Sequence, residues 1–144
     1  MQPQKTGDIT PQAQSADPCK TLPAKDISLT ESTPLLFHIH PLLTIIILGN
    51  VETIPDNVGR SDTVMRPIHT HDSSGMLHVE SACVRDYTLG DFFDIWGKRF
   101  NSTCILDRCN DGNHMVSMYV NGAQSYEFGG LVLKDAQVIV IKYE

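Results

Sequence analysis

Apolar and polar positions change period several times along this chain, and each change marks an element. Leu42-Leu-Thr-Ile-Ile-Ile-Leu48 is a short β-branched run, the pattern of a strand. Gly49-Asn50 follows as a tight-turn signal, and Val51-Glu-Thr-Ile54 alternates until Pro55 closes it, which predicts a hairpin. A second hairpin is predicted from Met65–Thr70 and Met76–Glu80, joined by the turn formers Asp72-Ser-Ser-Gly75. The period then changes to that of a helix. Leu89, Phe92, Phe93 and Trp96 form one helical stripe, Thr88 is a cap, Asp91 sits in the first turn, and Gly97 is the stop. A loop over Asn101–Asn113 leads into the alternating stretch His114–Val120, the turn Asn121-Gly122, and a last strand at Val138–Tyr143.

Hairpins followed by a helix and further strands predict an α+β fold, with a mixed β-sheet of hairpins covered by one helix. Met118-Tyr-Val-Asn-Gly and Leu133-Lys-Asp-Ala-Gln-Val-Ile-Val-Ile resemble the last strands of β-grasp domains, which makes a β-grasp-like architecture the expectation. Residues 1–32 carry few large apolar side chains and no periodicity. Such a segment is expected as a flexible N-terminal tail, with packing along a sheet edge as the alternative. Residues 33–144 are then a single His-rich domain. A length of 144 residues suits one domain and a tail.

Charge narrows the partners. The net charge of −6 leaves no basic surplus to displace counterions from a phosphate backbone, so a nucleic-acid partner is excluded. The longest apolar run is too short to span a bilayer, and the first 20 residues contain no apolar signal core. The cysteines form no C-x-x-C pair, which argues against a zinc ribbon or a thioredoxin-like motif. Cys104 and Cys109 bracket a turn-rich stretch and suit either a short disulfide loop in an oxidising compartment or free thiols in a reducing one.

The candidate chemistry lies in the histidines. Five of six fall between positions 38 and 78, in the patterns His38-Ile-His40, His69-Thr-His71 and His78-Val-Glu80. In an extended chain, positions i and i+2 project from the same face. Three neighbouring strands would thus present three pairs of ligating groups on one surface. Burying several imidazoles as ordinary core would require a partner for each. The candidate metal ligands are therefore His38, His40, His69, His71, His78 and Glu80. Asp72 is an alternative carboxylate, and His114 stands apart. Imidazole-rich donors without thiolate suit copper or zinc, and the Irving–Williams order favours copper. Met65 and Met76 are candidate thioethers for Cu(I), or ordinary core side chains.

These segments, with Tyr87-Thr-Leu-Gly-Asp-Phe-Phe-Asp-Ile-Trp-Gly97, resemble a family of archaeal and bacterial proteins marked by HxH, HTHDxxGxxHxE and LGxFFDIWG motifs. The variants most like this chain, with the Asn101-Ser-Thr-Cys104 loop, are archaeal, from the ammonia-oxidising group. The resemblance spans roughly residues 36–143. It implies that the His-x-His pairs, His78 and Glu80 act together, and that the protein is extracytoplasmic; it supplies no activity. Three other motif families do not fit. Amidohydrolase-type HTHD motifs need a barrel that this length cannot build, cupin spacing fails because Glu80 lies nine residues after His71, and multicopper oxidases need several domains.

The expected function is a small metal-binding protein acting as carrier, store or accessory factor, with a protein partner or homo-oligomer left open. The alternatives are a metalloenzyme, hydrolase or oxidoreductase, with an open His-ligated site, and a metal-free interaction domain.

Overall fold

The computed structural model describes residues 18–144 apart from Glu31 and Cys83. The chain is α+β. A short helix α1 (Pro18–Thr21) and a 3-10 turn (Ala24–Asp26) precede strands β1 (Phe37–Ile39), β2 (Leu42–Ile47), β3 (Asn50–Glu52), β4 (Ile68–His69) and β5 (His78–Ser81). Helix α2 (Leu89–Trp96) follows, then β6 (Cys104–Ile105), β7 (Arg108–Cys109), β8 (Val116–Val120), β9 (Ala123–Ser125) and β10 (Val138–Tyr143).

The strands do not form the single sheet expected from the hairpin pattern. A five-stranded mixed sheet has the order β3-β2-β10-β8-β9, with β10 parallel to β2 and antiparallel to β8. A separate three-stranded antiparallel sheet has the order β1-β5-β4. The division falls at His40-Pro41. Proline has no N–H to contribute to a ladder, and here the chain leaves β1 of the small sheet and enters β2 of the large one. The second predicted hairpin therefore belongs to its own sheet, with β1 as its third strand.

Alternation explains both sheets. In β2 and β10, Leu43, Ile45, Ile47, Ile139, Ile141 and Tyr143 face the core, and residues between them are less buried. In β5 the buried positions are Val79 and Ser81, while His78 and Glu80 point the other way. Helix α2 begins as its sequence dictates. The Thr88 hydroxyl accepts from the Asp91 N–H, and the Asp91 carboxylate accepts from the Thr88 N–H. Gly97 ends it at φ +78°. The helix buries Leu89, Phe92 and Phe93 and packs against β4 and both 3-10 turns, Ala24–Asp26 and Phe128–Gly130.

The packed structure also takes in residues N-terminal to position 33. Ala24 and Leu29 are buried, and Leu29 bridges to Met65. With the partly buried Ile27 these are scattered apolar side chains without a sustained period, so hydropathy could not place them. Residues 1–17 lie outside the described residues, as do Cys83 and the Cys19 side chain.

The Asn101–Asn113 loop contains a small hairpin, β6–β7, closed by a Cys104–Cys109 disulfide. The Tyr143 hydroxyl donates to the Cys109 carbonyl at 2.9 Å and ties this hairpin to the last strand. So short a loop gains little from cross-linking. Replacing both cysteines with serine should cost about 2 kcal/mol, read as a lower denaturant midpoint at unchanged slope.

Candidate metal centre

The three-stranded sheet collects the six predicted residues on one face. Cross-strand register sets His38 opposite Glu80 and His69 opposite His78. Strand β5 is central, so its His78 and Glu80 are flanked on both sides. His40 and His71 lie just beyond the ends of β1 and β4. The His78 ring lies edge-on to His71 and to His40, at centroid separations of 4.2 and 4.7 Å. His38 and His40 are 4.4 Å apart, and His69 and His71 4.9 Å.

Donor atoms on this face fall into two sets. His38, His40 and His78 form one, and His69, His71 and Glu80 the other; within each, the three atoms lie within 4.8 Å of one another. Each set can hold a metal ion. The other face of the same sheet is apolar, with Ile68 and Val79 fully buried, so the strands are anchored from behind.

His69 is the most constrained member, at 0% exposure. Its Nδ1–H donates to the Arg66 carbonyl at 2.8 Å. This fixes the ring and puts the lone pair of the neutral imidazole on Nε2. That nitrogen lies 2.7 Å from Glu80 Oε2 yet has no hydrogen-bond partner in a suitable direction. Burial, outweighing the Arg66 carbonyl and the Glu80 charge, holds His69 below the usual imidazole range. A buried ring nitrogen thus lies against a carboxylate oxygen, a contact that either a shared proton or a bound cation satisfies.

Burial also lowers His78, together with the neighbouring His71, His40 and His69, to about 4. His71 is lowered by desolvation and then by the Arg60 guanidinium. These three rings are therefore neutral at pH 7, the form that ligates metal.

Rigidity comes from the residue between two histidines. Thr70 is buried and points away from the rings. Its hydroxyl donates to the Pro55 carbonyl at 2.8 Å and accepts from the Val58 N–H at 3.0 Å. The Thr70 N–H donates to the Val58 carbonyl. Gly59 continues this clamp at φ +74°, where a Cβ would meet the Ile68 carbonyl at 2.6 Å. The loop so held delivers Arg60.

Arg60 carries no motif and was not legible in the sequence. Its Nη1 donates to His71 Nδ1 at 2.9 Å. Arginine cannot accept, so the His71 proton sits on Nε2. A metal bound through Nδ1 would take the lone pair that Arg60 occupies. A metal bound through Nε2 would move the proton to Nδ1, against the guanidinium. By either route Arg60 must withdraw. Arg60→Ala should therefore raise affinity for a divalent ion about tenfold, or roughly 1.4 kcal/mol, checked by competitive titration against a chromophoric chelator.

The remaining candidates have other engagements. Asp72 Oδ1 accepts from the Ser74 N–H and hydroxyl, at 3.0 and 2.6 Å. These bonds close the β4–β5 turn and hold its carboxyl below the usual range. His114 Nδ1 lies 3.1 Å from Asp111 Oδ1, and the ring stacks on Tyr143; it is not part of either donor set. Met65 and Met76 sit in bridges to Leu29 and Leu42. A cleft of about 770 Å³ elsewhere is lined by Glu52, Trp96, Lys98 and Arg99 among others, and by none of the six residues. Among the described residues, no helix is long and apolar enough to cross a membrane. No family model, curated protein or solved structure matches the chain.

Proposed function

We propose that this protein is a small metal-binding domain in which His38, His40, His69, His71, His78 and Glu80 supply the ligands. One observation carries the reading. His69 Nε2 is buried, its ring fixed by the Arg66 carbonyl, and it lies 2.7 Å from Glu80 on a face that holds four further imidazoles. Leaving such a group unpaired costs about 1–3 kcal/mol, and a bound cation removes that cost.

Copper is the preferred ion and zinc the next. The donors are imidazole and carboxylate, and Cys104 and Cys109 are bonded to each other rather than available as thiolates. The disulfide also supports an oxidising, extracytoplasmic location, as does the resemblance of the HxH and HTHD segments to the archaeal and bacterial family. Counted in chain order, the strands of the large sheet run 2-1-5-3-4, with the first and last parallel and the helix between the second and third. This order supports a β-grasp-like architecture.

The role is that of a carrier, store or accessory factor. A metalloenzyme is the second reading, favoured by the three-donor sets, because a four-coordinate ion held by three side chains keeps one position for water or substrate.

Metal content tests the proposal. Protein stripped with a chelator and incubated with Cu(II) or Zn(II) should retain at least one ion per chain after gel filtration. Metal-free protein after such loading would overturn it. Affinity should fall with acidification as protons compete for imidazole. The sign follows from the shifts at His69, His71 and His78: groups already held below 6.5 take up protons only at lower pH. Binding should therefore persist somewhat below pH 6 before it is lost, as measured by titration between pH 7.5 and 4.5.

A further inference from the structure

The histidine face has more donors than one ion needs. A four-coordinate zinc or copper ion takes four ligands at about 2.0–2.2 Å, so donors to one ion lie no more than roughly 4.4 Å apart. Within each donor set the three atoms lie within 4.8 Å of one another, so a shift of a few tenths of an ångström brings either set to that span. We propose that the face binds two divalent first-row ions, one in His38/His40/His78 and one in His69/His71/Glu80, with the Glu80 carboxylate bridging them. The inference rests on the metal-binding reading and adds its stoichiometry and its dinuclear character.

Glu80 carries the bridge. It lies on the central strand, as does His78 of the other set. Its Oε2 is 2.7 Å from His69 Nε2, while its Oε1 is 3.9 Å from His38 Nε2. One oxygen therefore serves each set. The sets also touch through His78, whose ring stacks on His69 at a centroid separation of 5.8 Å and meets His71 at 4.2 Å. Two-metal sites hold their ions about 3.5–4 Å apart, which requires sets in contact, as these are.

Charge bears on the same conclusion. Two divalent ions among neutral imidazoles repel each other, and a carboxylate placed between them offsets this. Asp135 adds negative charge at the rim, where its Oδ1 accepts the His40 N–H at 2.9 Å. Arg60 opposes it at the His71 end, so the His38/His40/His78 position should fill with the smaller electrostatic penalty. With Glu80 bridging, the His38/His40/His78 ion has four protein donors and the His69/His71/Glu80 ion three, so a four-coordinate ion in the second set keeps one position for water, hydroxide or a small anion.

The test uses the full chain, stripped of metal and titrated with Zn(II), with ions per chain counted by native mass spectrometry. Two ions are expected. His38→Ala, whose side chain is 45% exposed and whose loss leaves the core intact, should retain one. Glu80→Gln should weaken the second ion at least about tenfold. With Cu(II), the electron paramagnetic resonance signal should broaden between one and two equivalents through coupling of the two ions. A single ion per wild-type chain would overturn the dinuclear proposal and leave metal binding standing. Two ions with unbroadened copper signals would overturn the bridge. No bound ion at all would remove both readings. Circular dichroism of each metal-free variant checks that the fold is retained.

Discussion

Replacing His69 and His71 together with alanine should weaken binding of the divalent ion held with Glu80 by at least about 100-fold. Loss of a group that merely orients a ligand costs 10–100-fold, and here two ligands are removed. The pair shares a face because Thr70 points the opposite way into its bonds with Pro55 and Val58. Both rings belong to the set that contains Glu80. The double variant leaves Glu80 without its 2.7 Å neighbour, and the His38/His40/His78 set keeps three imidazoles. Binding at halved stoichiometry is therefore expected, not complete silence. Isothermal titration of wild type and variant with Zn(II) checks affinity and stoichiometry, and an unchanged binding curve would remove His69 and His71 from the site. His69 is fully buried, so His69→Gln, which keeps a donor and an acceptor, separates lost ligation from lost packing.

Phe92→Ala should destabilise the metal-free protein by about 3–5 kcal/mol, the range for truncating a buried aromatic. Phe92 is fully buried. Its ring meets Phe93 and Trp96 at centroid separations of 5.6 and 5.7 Å, and α2 packs on β4, the strand that carries His69. A cavity here loosens the support behind the site. Bound metal stabilises only the folded state, so the variant should regain part of its lost midpoint on addition of Zn(II). Urea unfolding with and without the ion measures this, and a loss below about 1 kcal/mol would mean that the helix stripe is not central to the core.

The membership of the histidine face was legible because spacing by two has one meaning in a strand: the same side. His-x-His, His-x-His and His-x-Glu needed only adjacent strands to converge. Helix α2 was legible down to its termini, since Thr88, Asp91 and Gly97 act locally. Other features depended on contacts distant in sequence. Nothing in the pattern says that β5 is the middle strand of its sheet, although this decides that His78 and Glu80 are flanked on both sides. The break at His40-Pro41 divides one expected sheet into two, and a proline is equally compatible with an edge. Arg60 meets His71 across a loop that has no periodicity. The full burial of His69 comes from packing around β4 and could not be inferred from its sequence spacing.

The alternation in β5 has an evolutionary corollary. One residue inserted into or deleted from His78–Ser81 would exchange its two sides, sending imidazole and carboxylate into the hydrocarbon interior and the valine out to water. Selection for a sound interior and selection for a working ligand surface therefore reject the same length changes. The segment should tolerate drift in side-chain identity at its margins far better than any change in its count.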